Sequence, residues 1–165
     1  MREILSLQQS SNNDNISAAV ISRKTGGWWR QIILNKGSKD GVEIGSTVTG
    51  PGGLLGRVNN TSLFTSSVTL LTSPESKLGV WVDRSQINGL LVGSGDDHPS
   101  LILYSKEADI KVGDFVSSSP ASSLLPPNIP IGIVQSIDET LQSKKTAKIS
   151  LLAKPNVIDL SLIHI

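Results

Sequence analysis

Short runs of alternating apolar and polar residues, many of them β-branched, follow one another along most of the chain. The runs are separated by Gly, Pro, Asn, Asp or Ser, which is typical of strands joined by turns. From Ile16 onward no stretch keeps the i, i+3, i+4, i+7 apolar spacing of an amphipathic helix over three turns. The predicted strands are Ile16–Ser22, Trp29–Leu34, Thr47–Thr49, Leu54–Asn59, Ser67–Leu71, Leu78–Val82, Gly89–Val92, Leu101–Tyr104, Phe115–Ser117, Ile131–Ile137 and Thr146–Leu152.

This many short strands favours an all-β sandwich or closed barrels, and closure removes the exposed edges that short strands otherwise leave. An internal echo supports two related units. A turn glycine, a strand, a loop and an apolar-Gly-x-Val strand occur in Val42–Val58 and again in Ile110–Val134. Self-similarity of this kind indicates repeated supersecondary units.

The first fifteen residues have a different pattern. Met1–Leu7 is compatible with the last turns of a helix, and the polar tract that follows, up to Asn15, predicts a flexible link. A helix of that length would not persist alone. We therefore interpret 1–15 as the end of a preceding helix and a linker.

Composition excludes several classes of function. The chain has 165 residues, a formal net charge of +1 and no cysteine. The near-neutral charge gives no basis for binding nucleic acid. The lack of cysteine removes disulfides, thiolate metal sites and thiol catalysis. No apolar run of about 18 residues is present, so no transmembrane helix is expected in this stretch.

Candidate catalytic chemistry is sparse, and neither a cofactor nor a metal site is predicted. His98 lies in a polar turn sequence and His164 lies beside the end of the chain. Ser117–Ser119, Ser122 and Ser123 are abundant hydroxyls, but a serine nucleophile needs a base within hydrogen-bond reach. Ser–Lys chemistry stays open at this point. No phosphate-binding loop is present.

Glycines and one aspartate mark the structural turns. Asp-Gly is a strong signal for a turn with positive φ, and glycine inside a strand indicates a sharp corner or a close backbone approach. The turn residues selected on these grounds are Gly37, Asp40, Gly41, Gly45, Gly56, Gly113 and Gly132.

An ordered set of segments resembles the rod shape-determining protein MreC family, and the fit extends from about Ile16 to Leu152. The Trp28–Trp29 pair and Pro120–Asn128 look most like cyanobacterial members. The segments that carry the resemblance are Ala19–Arg23, Trp29, Leu34–Val42, Gly53–Val58, Val68–Thr72, Gly89–Gly93, Gly113–Val116 and Ile129–Val134.

The resemblance implies two small β-barrels on the periplasmic face of the inner membrane, preceded by a membrane helix and a coiled coil. On this basis we expect that the chain lacks the membrane helix and most of the coil. It implies a non-enzymatic scaffold of cell-wall elongation that contacts MreD, penicillin-binding protein 2, RodA and, across the membrane, MreB, and that self-associates as a dimer or filament. Together with the echo it suggests that 16–50 and 108–155 form one barrel and 51–107 the other.

The end of the chain departs from the family. Leu160–Ile165 resembles the translation of a transposon sequencing adapter, so we expect these residues to be an artefact and dispensable for stability.

A scaffold needs exposed apolar or aromatic residues, because a few such side chains dominate interface energies. The candidates are Trp28, Trp29, Phe64, Leu124 and Leu125. Two other functions stay open: a degenerate trypsin-like double-barrel hydrolase, and a carbohydrate-binding β module with tryptophans, including Trp81, as stacking platforms.

Overall fold

The structure is a computed structural model. It describes residues 15–24, 30–122, 125–140, 143–155 and 158–164. Within these residues the regular elements are twelve strands and one 3₁₀ turn at Ser38–Asp40. The strands are β1 (Asn15–Lys24), β2 (Gln31–Leu34), β3 (Thr47–Gly50), β4 (Gly53–Thr61), β5 (Ser66–Leu70), β6 (Lys77–Val82), β7 (Ile87–Val92), β8 (Ser100–Leu103), β9 (Phe115–Ser118), β10 (Pro130–Asp138), β11 (Lys145–Leu151) and β12 (Leu160–His164).

The twelve strands form two closed six-stranded barrels. The order around the first is β1-β12-β3-β4-β5-β2, and around the second it is β10-β11-β8-β7-β6-β9. Every neighbouring pair is antiparallel, as expected for strands joined mainly by short turns. The predicted all-β, double-barrel fold is confirmed. The predicted helix remnant in 1–14 lies outside the described residues, and Asn15 already belongs to β1.

The echo in the sequence corresponds to matching ladders in the two barrels. Val48 of β3 is opposite Gly56 of β4, and Val116 of β9 is opposite Gly132 of β10. A register shift follows at the same step in both pairs. The next ladder shows the same agreement, since β4–β5 and β10–β11 each shift register immediately after a valine, Val58 or Val134. Therefore β3, β4 and β5 are equivalent to β9, β10 and β11.

Extending this equivalence gives an unexpected arrangement of the sixth strand. β12 lies between β1 and β3 in the first barrel, and β6 lies between β7 and β9 in the second. These are the same position. Yet β6 directly follows the five strands β1–β5, and β12 directly follows the five strands β7–β11. Each run of five strands is thus followed by a strand that closes the other barrel.

The inward faces of the strands form two apolar cores. The first contains Ile32, Leu34, Val48, Val68 and Ile163, among others. The second is larger and includes Leu54 and Leu71, which belong to the first-barrel half of the chain. Burying a leucine completely contributes about 1.5–3 kcal/mol. The two barrels therefore support one another through shared apolar burial.

Close backbone contact reinforces this junction. A Cβ atom on Gly53 would lie 2.1 Å from the Pro130 carbonyl oxygen, and one on Gly52 would lie 2.6 Å from the Leu152 carbonyl oxygen. Distances this short leave no room for a side chain. The β3–β4 turn of the first barrel thus fits against the start of β10 and the end of β11 in the second.

The observed division of the chain differs from the predicted one. The first barrel consists of β1–β5 with β12, and the second consists of β6–β11. The prediction assigned 16–50 and 108–155 to one barrel and 51–107 to the other. It was wrong because it placed parts of both echo copies in one barrel, whereas each barrel holds one copy.

The expectation that Leu160–Ile165 is dispensable also needs correction. Leu160–His164 forms β12, which pairs with both β1 and β3, and the Ile163 side chain is 0% exposed. The physical reason is that an alternating apolar segment satisfies the sixth position whatever its origin. The adapter origin itself is a separate matter and stays a prediction.

Candidate protein-contact surfaces

The hairpin between β4 and β5 presents the predicted contact residue Phe64 to solvent. The turn is closed by the Ser62 N–H, which donates to the Thr65 carbonyl oxygen at 2.8 Å. Leu63 and Phe64 occupy the tip, and the Phe64 side chain is 58% exposed. The ammonium of Lys39 lies 5.1 Å from the centre of the Phe64 ring, a cation–π contact. We call Leu63 and Phe64 the hairpin tip.

The 3₁₀ turn that follows the predicted turn residue Gly37 holds this tip in place. The N–H groups of Ser38 and Lys39 donate to the carbonyl oxygens of Ser62 and Leu63 at 2.9 and 3.1 Å. A Cβ on Gly37 would lie 2.3 Å from the Ser62 carbonyl oxygen, so this contact needs glycine.

The 3₁₀ turn that carries these donors is itself fixed. The Asp40 carboxylate accepts the Gly37 N–H at 3.1 Å, and Gly41 adopts a φ of 92°. The hairpin tip is therefore an apolar surface held by several hydrogen bonds, not a free loop.

A polar groove adjoins the hairpin on the first barrel. It has a volume of about 670 Å³. Its lining consists largely of hydroxyl and amide side chains, together with one carboxylate: Gln31, Ile33, Asn59, Asn60, Thr61, Ser62, Thr65, Ser66, Ser67 and Glu75. An apolar tip beside a polar, hydrogen-bonding surface is the usual composition of a protein interface, with a hydrophobic centre and a polar rim.

The other predicted contact residues have different positions. Leu125 is 5% exposed and belongs to the core of the second barrel, so its predicted exposure is wrong. The position of Leu125 beside a proline-rich loop favours exposure, but its side chain packs into the core of the second barrel. Trp28, Trp29 and Leu124 lie outside the described residues. Trp81 is half-buried in β6 and its ring N–H is buried, so it is not an open stacking platform.

Sequence reasoning missed a second exposed apolar surface, formed by Val112 and Phe115 at the start of β9. Because Val116 points into the barrel, strand alternation places Phe115 outside. Tyr104, after β8, is also exposed. The echo could have located Val112, since it precedes Gly113 as the exposed Ile44 precedes Gly45.

An ion cluster lies beside this second surface. The Arg84 guanidinium donates to both carboxylate oxygens of Asp109 and to both of Asp114, at 2.9–3.0 Å. These hydrogen bonds lower the pKa of both carboxyl groups below their ordinary values and raise the pKa of Arg84. The Asp114 carboxylate also accepts the Lys111 N–H at 2.8 Å. The cluster fixes the β6–β7 turn to the loop before β9.

The serine hydroxyls considered for catalysis have structural partners. Ser117 donates to the Asp83 carboxylate at 3.2 Å, and Ser118 donates to the Pro126 carbonyl oxygen at 2.6 Å. Ser119 donates to the Asn88 side-chain oxygen. Ser123 lies outside the described residues.

The two histidines and the metal-ligating residues form no reactive group in the described part of the chain. His98 lies in the β7–β8 loop, where its backbone N–H donates to the Asp96 carboxylate at 2.9 Å. His164 contacts the Thr49 hydroxyl at 3.0 Å, and burial lowers its pKa. Across the described ranges, no cluster of three or more metal-ligating side chains occurs. No helix within those ranges is long and apolar enough to cross a membrane.

Known proteins resemble this chain in both sequence and fold. The family model for the rod shape-determining protein MreC barrel core matches residues 20–163. The cell shape-determining protein MreC of Listeria monocytogenes is 32% identical over 144 residues, which is 84% of this chain and 49% of that protein. This chain spans 49% of the Listeria protein and 38% and 34% of the MreC proteins of Caulobacter vibrioides and Haemophilus influenzae.

Solved structures show the same fold. The crystal structure of MreC from Pseudomonas aeruginosa has a TM-score of 0.82 at 26% identity, covering 92% of this chain and 99% of that one. A complex between penicillin-binding protein PBP2 and MreC from Helicobacter pylori has a TM-score of 0.71 at 15% identity, covering 91% of this chain and 96% of that one. At that identity the likeness concerns the fold alone.

Two interlocked six-stranded barrels define a double β-barrel protein, and the relatives that match this chain are named cell shape-determining proteins. The chain belongs to the rod shape-determining protein MreC family.

Proposed function

We propose that this chain is the barrel region of a non-enzymatic scaffold that maintains cell shape by holding together the machinery of cell-wall elongation. The observation that carries the proposal is the braced hairpin tip. Two apolar side chains held at the surface by backbone hydrogen bonds lose little conformational freedom on binding, which favours a role as interface anchors.

The proposed partner of the barrels is the transpeptidase penicillin-binding protein 2. Support comes from the family member of Helicobacter pylori, whose solved structure is a complex with PBP2. The hairpin tip would supply the apolar centre of the contact, and the adjoining polar groove would supply hydrogen bonds at its rim. The second exposed surface, Val112 and Phe115, offers a place for another partner.

The remaining partners and the location are proposed from the family. The barrels would lie in the periplasm, which agrees with the description of one related structure as a major periplasmic domain. An anchor helix and coiled coil preceding 1–15 would hold them at the inner membrane and connect them with MreD, RodA and MreB. That coil would also raise the effective concentration of two chains, so self-association of the barrels alone should be weak.

Absence of catalysis is part of the proposal. The hydroxyls of Ser117, Ser118 and Ser119 donate to Asp83, Pro126 and Asn88, whereas the described hydrogen bonds of His98 and His164 are to Asp96 and Thr49. A serine without a base cannot be activated in the usual way. Neither the hydrolase nor the carbohydrate-binding alternative gains a described contact that would favour it.

Binding measurements with the periplasmic part of PBP2 test the proposal. The double substitution Leu63→Ser/Phe64→Ser should raise the Kd about tenfold or more, because it removes the apolar centre of the contact. Tyr104→Ser, an exposed aromatic on the second barrel, is the matched control and should leave the Kd unchanged. Equal Kd values for the wild type, the Leu63→Ser/Phe64→Ser variant and the Tyr104→Ser control would contradict the proposed role of the tip.

A further inference from the structure

A cavity of about 250 Å³ lies where the two barrels meet, and its described lining residues differ from those of the polar groove. Arg30, just before β2, lines it from the first barrel, and Thr72 lines it from the connection between β5 and β6. The second barrel contributes Asp97 and His98 of the β7–β8 loop, and Lys154 follows the end of β11. We call this space the junction cavity.

The charges around the junction cavity are predominantly positive. The Arg30 guanidinium donates to the Asp97 carboxylate at 2.8 Å, so these two charges offset one another. Lys154 forms no ion pair with another residue of the described ranges, which leaves its positive charge uncompensated. His98 adds a further positive charge when it is protonated. The lining therefore favours an anionic ligand.

A buried hydroxyl adds a hydrogen-bond donor to this lining. Thr72 is only 4% exposed, and its backbone is fixed because its carbonyl oxygen accepts the Gly95 N–H at 2.9 Å. Within the part of the chain that the structure describes, the Thr72 hydroxyl has no hydrogen-bond partner. It is therefore available to a ligand in the cavity.

The walls of the junction cavity are held in place before any ligand binds. The Asp96 carboxylate accepts the backbone N–H of His98 at 2.9 Å, and the Ser94 hydroxyl donates to the His98 carbonyl oxygen at 3.1 Å. The Arg30 side chain is only 9% exposed. Groups that are already ordered lose little conformational freedom on binding, which favours affinity.

The size and the apolar part of the cavity limit what can enter. Leu151 and Ala153 are buried lining residues, and apolar surroundings strengthen charge interactions because the local dielectric is low. The cavity is smaller than the roughly 300–1,000 Å³ pockets that hold drug-sized molecules. It therefore suits one small charged group.

We propose that the junction cavity binds a phosphate group through side chains of both barrels. Arg30 and Lys154 would supply positive charge, and Thr72 and His98 would supply hydrogen bonds. Arginine and lysine are the usual side chains that bind phosphate in proteins. A tetrahedral phosphate offers oxygens in several directions, which matches donors that come from separate segments, whereas a planar carboxylate offers only two. This inference goes beyond the proposed scaffold function and does not rest on it.

Amide NMR locates the site and tests the choice of ligand. Sodium phosphate would replace sodium chloride at constant ionic strength, and we expect saturable chemical-shift changes at Thr72, His98 and Lys154. Sodium acetate, a carboxylate, should bind several-fold more weakly. Shifts that do not saturate, or that occur away from these residues, would overturn the site. An equal Kd for acetate would overturn the choice of phosphate.

A charge substitution with a matched control tests the role of Lys154. Lys154 is exposed, so Lys154→Gln should leave the fold intact while raising the Kd for phosphate about tenfold. Lys111→Gln is the control, because Lys111 is also exposed but lies in the loop at the other end of β8. Its Kd should equal that of wild type. Equal Kd values for Lys154→Gln and Lys111→Gln would overturn the proposal.

Vesicle sedimentation separates the two sources of a phosphate group, a free ion and a phospholipid headgroup. The chain would be mixed with vesicles of phosphatidylcholine containing phosphatidylglycerol, or of phosphatidylcholine alone. Sedimentation with the anionic vesicles that Lys154→Gln abolishes would assign the headgroup, and no sedimentation beside an intact phosphate titration would assign the free ion. Sedimentation that Lys154→Gln leaves unchanged would overturn the junction cavity as the lipid site.

Discussion

Gly45 and Gly113 hold the same position in the two barrels. Each adopts a φ of 95°, and each donates its N–H to the carbonyl oxygen of a valine, Val58 at 2.8 Å and Val134 at 2.9 Å. The N–H of each valine in turn donates to the carbonyl oxygen of the residue that follows the glycine, which is Ser46 in the first barrel and Asp114 in the second, at 2.9 Å. This turn leads into β3 in the first barrel and into β9 in the second, and each of these strands pairs with its neighbour through a register shift. The shared turn is the physical basis of the repeated pattern in the sequence.

Gly113 allows the conformational requirement to be separated from packing. A Cβ there would have no atom within 4 Å, so any cost of Gly113→Ala comes from the left-handed backbone alone. We expect a loss of about 1 kcal/mol in the free energy of unfolding, measured by urea denaturation. Gly113→Asn should cost less than Gly113→Ala, because asparagine tolerates this conformation better. Equal stability of Gly113→Ala and wild type would contradict the assignment.

At Gly56 glycine is required by close packing against the neighbouring strand β5, not by a left-handed backbone. Its Cβ would lie 2.0 Å from the Thr69 carbonyl oxygen, a backbone atom that cannot move without breaking the β4–β5 ladder. Gly56→Ala should therefore destabilise the protein by about 3 kcal/mol or more. Gly79→Ala is the matched control in β6, where the nearest atom would be at an ordinary 3.4 Å. Thermal denaturation should show little change for the control, and a similar loss for both variants would contradict the prediction.

Leu54 tests the mutual support of the barrels. It belongs to a first-barrel strand, but its side chain is buried in the core of the second barrel. Leu54→Ala should cost about 2–5 kcal/mol. Hydrogen exchange should show faster opening of β10 and β11 as well as of β4. The neighbouring Leu55→Ala, within the first core, should act first on the first barrel. Loss of protection confined to β4 in the Leu54 variant would contradict the shared core.

The Arg84 cluster should make stability depend on acid. Since Arg84 lowers the pKa of Asp109 and Asp114 in the folded state, their contribution is present above the ordinary aspartate pKa and is lost as the pH falls through the lowered values. Arg84→Met should therefore reduce Tm at neutral pH and flatten its decline below about pH 4. A Tm profile parallel to that of wild type would contradict the proposed linkage.

The sequence predicted the strands much better than their partners. Each of the eleven predicted runs overlaps a strand, because alternation and turn residues are local signals. Pairing is not local: Ile16 is opposite Ile163, and no nearby residue specifies that partner. The twelfth strand was missed because its residues were set aside as an adapter product. The barrel boundaries then failed, since without β12 the first barrel lacked its closing strand.

The candidate contact surface was partly predictable for a similar reason. Phe64 stands in a turn sequence, where an aromatic side chain has little chance of burial, and it is exposed. Leu125 also follows a loop, but tertiary packing turns it into the second core. Nothing local separates the two cases. The bracing of the tip by Ser38 and Lys39 depends on a contact between separate turns, and the sequence alone does not reveal it.

Site-specific photocrosslinking tests most directly whether this chain works by contact through its hairpin tip. A benzophenone amino acid would replace Phe64 in one sample and Tyr104 in another, and each protein would be irradiated with the periplasmic part of PBP2. We expect a covalent product from position 64 and none above background from position 104. A product from position 104 with none from position 64 would contradict the proposed contact.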